Sequence, residues 1–168
     1  MVVSCAMASD RAALRAPLLV RSTSPLHCLL AFAAGAGLQQ ALGLPLPQGV
    51  AREAMQAIGT GLANAGLVLV LWCFVLFARA RTTLLPGDAP ARLILHGPFR
   101  WSRNPIYVGM LASYIGLALM LDVPWALATL AVPVLVLQRS IVPWEEGRLH
   151  ARFPREYADY ARRVRRWL

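Results

Sequence analysis

The sequence predicts an all-α fold: a polytopic membrane helical bundle of about four transmembrane helices, followed by a C-terminal amphipathic helix on the cytoplasmic side. Three observations carry this. Hydrophobic residues make up 58% of the 168, and mean hydropathy is +0.53, more apolar than the ~45–50% of a soluble domain. The apolar residues gather into four stretches, each near the ~20 residues that cover a hydrocarbon core. The arginines sit almost entirely in alternate connections between those stretches, as they do when cytoplasmic loops retain positive charge.

Residues 1–25 form a weakly patterned tail with Arg11, Arg15 and Arg21, expected to be partly disordered. Leu26 to Ala36 would serve as the apolar region of a secretory leader, but the tail before it is long for one. The first span runs roughly Leu26 to Leu44, the second Ala57 to Phe77, the third Ile106 to Leu121 and the fourth Pro124 to Val142. Asp122, Val123 and Pro124 make a tight hairpin between the last two, with Pro124 suited to a first helical turn. Beyond the fourth span Leu149, Phe153, Tyr157, Tyr160 and Val164 recur every three or four residues, an amphipathic stripe that reads as an interfacial helix or a cap over a site. Pro154 interrupts it, lacking an N–H and clashing with the preceding turn. Residues 26–168 are read as one membrane domain with a motif core at 93–166.

The tail, the connection between spans two and three, and the chain from Arg139 onward carry three, five and eight arginines, against Arg52 alone on the other side. Both termini are therefore expected in the cytoplasm of a multi-pass inner-membrane protein. The net charge is +9, but arginines beside apolar spans fit an anionic bilayer surface rather than nucleic acid. Every basic residue is arginine and alanine is abundant, which suggests a GC-rich, bacterial genome. Cys5, Cys28 and Cys73 lie far apart and indicate neither a disulfide framework nor a metal site. Gly35-Ala36-Gly37 and Gly59-Thr60-Gly61 look like fragments of a dinucleotide fingerprint, but they lie inside spans, where small residues let helices approach.

The chemistry is concentrated in His96–Gly109, HGPFRWSRNPIYVG, and in Trp144-Glu145-Glu146. The arginine pattern puts both on the cytoplasmic face. Acidic residues beside a membrane span are costly and tend to be functional or paired; a solvated pair facing Arg148 or Arg103 is the structural alternative. Adjacent helical residues point roughly 100° apart, so only one of Glu145 and Glu146 faces squarely into a pocket. Arg100 and Arg103 offer planar donor forks suited to a carboxylate. Asn104, pushed toward an extended conformation by Pro105, offers a donor and an acceptor. Pro105 then starts a helix whose first backbone N–H groups are free, and Gly109 allows close approach. Phe99, Trp101 and Tyr107 could flank an adenine, or Trp101 could belong to the interfacial aromatic belt. A ligand carrying an ammonium, a carboxylate, a sulfonium and an adenine matches these groups, and S-adenosylmethionine has all four; physics alone does not select it over other zwitterionic or nucleotide ligands.

GPFRWSRNPIYVG followed by EEGRLHARFPREYADYARRV resembles the isoprenylcysteine carboxyl methyltransferase and phospholipid methyltransferase family, small integral membrane enzymes that use S-adenosylmethionine. The similarity covers about Leu93 to Arg166. It implies S-adenosylmethionine as cofactor, a lipophilic small-molecule or lipid acceptor (carboxylate, thiol or amine), and cofactor contacts at Leu93, Ile94, Gly97, Phe99, Asn104, Pro105, Ile106, Tyr107 and Glu145, with Glu146 the weaker candidate. Arg103 is a candidate for orienting substrate or cofactor. Asn104 stands where eukaryotic members have histidine. Ile141 stands where they carry a substrate-side arginine, and the nearest arginine is Arg139; both departures argue against carrying over their prenylcysteine substrate. Pro154 replaces a usual glycine.

In-line methyl transfer needs alignment and exclusion of water more than acid–base groups, so no catalytic residue or metal is expected. For an amine acceptor, which must arrive deprotonated, His96 and His150 are the bases weighed against a plain interfacial role. Two rivals remain. Sterol reductases resemble this fold and share an Asn/His-Pro-x-Tyr-type motif but use NADPH; the chain is short for one and lacks their Cys-x-x-Lys-Tyr-Gly ending. A non-catalytic four-span protein would use the polar loop as a headgroup anchor.

Overall fold

In a computed structural model of the protein, which describes residues 24–81 and 92–168, every regular element is helical. The expectations placed on residues 1–23 lie outside that range. α1 spans Ser24–Leu42, α2 Val50–Arg79 and α3 Pro105–Met120, with a 3₁₀ turn at Gly97–Arg100 ahead of α3. α4 (Pro124–Thr129), α5 (Ala131–Val136), a π turn (Leu137–Ile141) and α6 (Val142–Arg152) follow almost without interruption, and α7 (Pro154–Arg163) closes the series.

Among the described residues, two helices are long and apolar enough to cross a membrane by length and composition: α2, with 30 residues, and the 29-residue run Pro124–Arg152. α3 is apolar but has only 16 residues, about 24 Å at 1.5 Å per residue. Leu67, Val68, Leu71, Phe74 and Val75 stand exposed along α2. In water such a face would be a liability; in hydrocarbon it loses nothing by exposure.

With lipid as apolar as leucine, helices in a bilayer gain by close backbone packing rather than by burying oil. α2 and α3 do this through two glycine pairs. A Cβ on Gly59 would lie 2.7 Å from the carbonyl oxygen of Gly116, and one on Gly109 would lie 2.8 Å from that of Gly66. Between them Ser113 Oγ donates to Ala63 O at 3.1 Å. Gly35 does the same for α1 and α4, its added Cβ falling 2.6 Å from the Ala126 Cα. The small-residue reading thus holds for Gly35 and Gly59, whereas Gly37 and Gly61 meet nothing within 4 Å. Gly109, expected to allow close approach, admits α2.

Ala31, Tyr114, Ala118 and Ala126 form the core where α1, α3 and α4 meet. Cys73 is fully buried in a second cluster. The turn between α3 and α4 is tied to α2: Asp122, at φ +56°, accepts through Oδ2 from Arg52 at 2.5 Å and Gln56 at 2.8 Å. The π turn has a cause in the sequence. Pro143 cannot donate and its ring crowds the carbonyl four residues back. The chain widens there, and the N–H of Val142 reaches back to Leu137 O.

Candidate functional site

The site is assembled where the α2–α3 connection, the start of α3, the start of α6 and the segment after α7 converge. Gly97 opens the turn at φ +63°, and a Cβ there would lie 2.9 Å from Leu76 Cδ1; only glycine fits this backbone without strain. Phe99 then turns inward. With Ile94 it joins Cys73 and Leu76 of α2 in a buried cluster, with Ile106 and Phe77 against it. The Phe99 and Phe77 rings meet edge to face at 5.7 Å. Trp101 instead stands exposed, edge to face with Trp72 at 6.2 Å, a pairing that suits an interfacial belt.

Asn104 is the N-cap of α3 but makes no side-chain cap hydrogen bond. Its Nδ2 donates to the Arg166 carbonyl at 3.0 Å, and its backbone N–H donates to Ser102 Oγ at 3.1 Å. Pro105 follows, buried, at the first helical position. One turn on, Tyr107 Oη donates to Glu145 Oε1 at 2.7 Å, joining α3 to α6. Tyr107 also packs with Leu111, Trp144 and Trp167 against buried Leu137 and Ile141 of the π turn.

Glu145 and Glu146 have different surroundings. Glu145 meets a neutral phenol. Glu146 is held by two guanidiniums: Arg103 Nη2 lies 3.3 Å from Oε1, while Arg166 donates Nη2 to Oε2 at 2.6 Å and Nε to Oε1 at 3.2 Å. The structural alternative, a carboxylate facing Arg103, describes Glu146, while Glu145 feels the charge of Arg148. Arg103 also has a buried Nε without a hydrogen-bond partner.

The segment after α7 lies across the loop. The Arg103 N–H donates to Arg165 O at 2.9 Å, Ser102 Oγ donates to Arg166 O at 3.3 Å, and Trp167 enters the Tyr107 cluster. α7 supports it from below. Buried Tyr160 donates its hydroxyl to Phe99 O at 2.8 Å. The Tyr157 hydroxyl is buried without a partner of hydrogen-bonding geometry; burial, and then the nearby Glu146 carboxylate, make it a weaker acid, with its pKa pushed up to about 12.

Of the residues expected from the sequence, Gly97, Ile94, Phe99 and Ile106 gather against α2, Tyr107 meets Glu145, and Asn104 meets Glu146 through Arg166. Leu93 is half-buried at the approach. Ile141 is 2% exposed in the Tyr107 cluster and Arg139 is exposed on the same π turn. His96 and His150 are both exposed. Sequence reasoning missed Ser102, Arg166 and Trp167. Arg166 looked like one more topological charge, and no sequence signal reveals a contact made by its backbone carbonyl.

The phospholipid methyltransferase family matches residues 54–156. Two proteins named probable protein-S-isoprenylcysteine O-methyltransferase, from Oryza sativa subsp. indica and subsp. japonica, are each 42% identical to it over 76 residues, a stretch covering 44% of this chain and 38% of either relative. Both relatives come from rice, so the bacterial origin suggested by composition finds no support in them. No solved structure matches. The family match covers more than half of the sequence, and it takes in the glycine-paired α2–α3 unit, the Asn104–Tyr107 turn and the two glutamates: the chain belongs to the phospholipid methyltransferase family.

Proposed function

We propose that the protein is an integral membrane methyltransferase that transfers a methyl group from S-adenosylmethionine to a lipophilic acceptor entering from the bilayer. The observation that carries this reading is the meeting of Tyr107 and Glu145 at 2.7 Å, which brings the two polar clusters of the sequence to one place at the base of an apolar bundle.

The residues present suit the cofactor at both ends of its amino-acid moiety. Glu145, paired with a neutral hydroxyl, is suited to an ammonium; Asn104 Oδ1, with no partner among the described residues, is a second acceptor. For the carboxylate there are the buried Arg103 Nε and the uncapped start of α3, where helix N–H groups favour negative charge. Leu93, Ile94, Gly97, Phe99, Pro105 and Ile106 supply the wall and backbone beside them. When bound, S-adenosylmethionine supplies an electrophilic methyl on a sulfonium, which passes to the acceptor as the C–S electron pair returns to sulfur. The protein's own work is alignment and exclusion of water: Tyr107 orients Glu145, and Ile141, Trp144 and Trp167 keep the neighbouring space apolar. An acceptor carboxylate or thiolate needs no base under this reading.

The topology that goes with it has four spans, both termini in the cytoplasm of an inner membrane, and residues 26–168 as one domain behind the tail at 1–25. The test is calorimetry in detergent. Glu145→Ala is expected to abolish S-adenosylmethionine binding, and unchanged affinity sinks the assignment. Thermal shifts with S-adenosylmethionine against NADPH separate it from a reductase. Incubating membranes with labelled cofactor and profiling the labelled product identifies the acceptor; no incorporation would favour a non-catalytic protein.

A further inference from the structure

The two glutamates divide the work, and the second acts at a distance. Glu146 spends its carboxylate on Arg166, through two hydrogen bonds of 2.6 and 3.2 Å, and on Arg103 at 3.3 Å. Holding Arg166 by its side chain places its backbone carbonyl against the loop, where it receives Asn104 Nδ2 at 3.0 Å and Ser102 Oγ at 3.3 Å. A backbone carbonyl can only accept, so the Asn104 atom facing it must be the NH₂ group. The orientation of that amide is therefore set by chemistry, although the oxygen and nitrogen of an amide look alike. Ser102 Oγ agrees: it donates to the same carbonyl and accepts the Asn104 N–H at 3.1 Å.

We propose that Glu146 is a positioning residue: through Arg166 it fixes the Asn104 amide so that Oδ1 is presented to the bound ligand as a hydrogen-bond acceptor. This rests on the cofactor reading above and assigns Glu146 a different part in it, holding the segment Val164–Leu168 rather than touching the cofactor. The ligand group opposite Oδ1 must then be a donor: the ammonium, a ribose hydroxyl or the adenine amine. Without Glu146 the Arg103 and Arg166 guanidiniums lose their shared counter-charge, the carbonyl leaves Asn104, and the amide is free to turn its donor inward.

The test combines calorimetry with hydrogen exchange on the full-length protein in detergent. Glu146→Gln is expected to weaken S-adenosylmethionine about tenfold, the loss of one well-placed hydrogen bond, and to raise KM for the cofactor with little change in kcat. Exchange at the Arg103 amide, which donates to Arg165 O, should quicken. Arg166→Lys, which keeps the charge and loses the fork, should do the same to a smaller degree and serves if Glu146→Gln folds poorly. The deciding measurement is a double-mutant cycle with Asn104→Ala. If Glu146 acts through Asn104, adding Glu146→Gln to Asn104→Ala costs almost no further affinity. Additive losses, or quickened exchange with unchanged affinity, overturn the positioning role while leaving the cofactor reading intact. Failure of the wild-type protein to bind S-adenosylmethionine overturns the cofactor reading, and the acceptor role with it.

Discussion

Tyr107 and Glu145 are 38 residues apart in the chain, yet the phenol of one donates to the carboxylate of the other at 2.7 Å. This contact joins the start of α3 to the start of α6, and it orients the carboxylate proposed to hold the cofactor. Tyr107→Phe keeps the ring in its apolar cluster and removes only the donor. The expected cost is about 1–2 kcal/mol, at the lower end for a hydrogen bond to a charged group because the pair is only part-buried. Calorimetry should show S-adenosylmethionine binding weakened about five- to tenfold by this change. An unaltered affinity would mean that Glu145 is oriented by something else.

Gly66 and Gly116 are predicted to be intolerant of even one methyl group. A Cβ on Gly66 would lie 2.5 Å from Ser113 Oγ, and one on Gly116 would lie 2.6 Å from Gly59 O. Gly66→Ala and Gly116→Ala should each destabilise the protein by about 1–3 kcal/mol, the usual cost of overpacking. Gly37→Ala and Gly61→Ala, which meet open space, should stay within about 1 kcal/mol of wild type or stabilise it. Thermal unfolding in detergent would separate the two pairs, and equal effects would contradict the packing described.

Alkaline pH should destabilise the protein through α7. Burial, followed by the neighbouring Glu146, raises Tyr157 to about 12, and burial raises Tyr160 as well. The unfolded chain ionises tyrosine near pH 10, so above that pH it releases protons that the folded state retains. Stability is fully present below about pH 10 and is lost as pH rises toward 12. Tyr157→Phe removes a buried hydroxyl that lies beside Glu146 without good hydrogen-bonding geometry. It should be neutral or mildly stabilising at pH 7 and should blunt the alkaline loss. A variant as alkali-sensitive as wild type would show that Tyr157 does not contribute.

Topology is open to thiol labelling. With Cys5, Cys28 and Cys73 replaced by alanine, Gln48→Cys should react with an impermeant maleimide in intact cells. Arg100→Cys should react only after permeabilisation. Both positions are exposed, so accessibility within the protein does not confuse the readout. Labelling of both from the same side would overturn the four-span arrangement.

Several features of the fold were legible in residue type alone. Each of the four apolar stretches is helical, Pro124 and Pro154 stand at first helical positions, and Tyr157 and Tyr160 of the amphipathic stripe are buried. These follow from local rules: apolar period, proline's missing donor, and side chains that seek one face. Pro143 must loosen the helix because it cannot donate, but the form of the loosening, a π turn, depended on how the neighbouring turns could share the strain. The third span is the short one: α3 has 16 residues, and among the described residues α2 and Pro124–Arg152 are long and apolar enough to cross.

What the sequence determined by itself was membership and the inventory of polar groups: an apolar all-helical chain, a polar loop with an Asn-Pro-Ile-Tyr turn, and two adjacent glutamates. Tertiary structure decided which group serves which partner. Glu145 and Glu146 are indistinguishable as letters, yet one meets a phenol and the other two guanidiniums, because a helix turns adjacent side chains about 100° apart and α3 and the post-α7 segment approach from different sides. The Arg166 contact to Asn104 is made by a backbone carbonyl, a group every residue carries. Only the path of the chain, anchored by a carboxylate 20 residues away, brings that carbonyl to the loop.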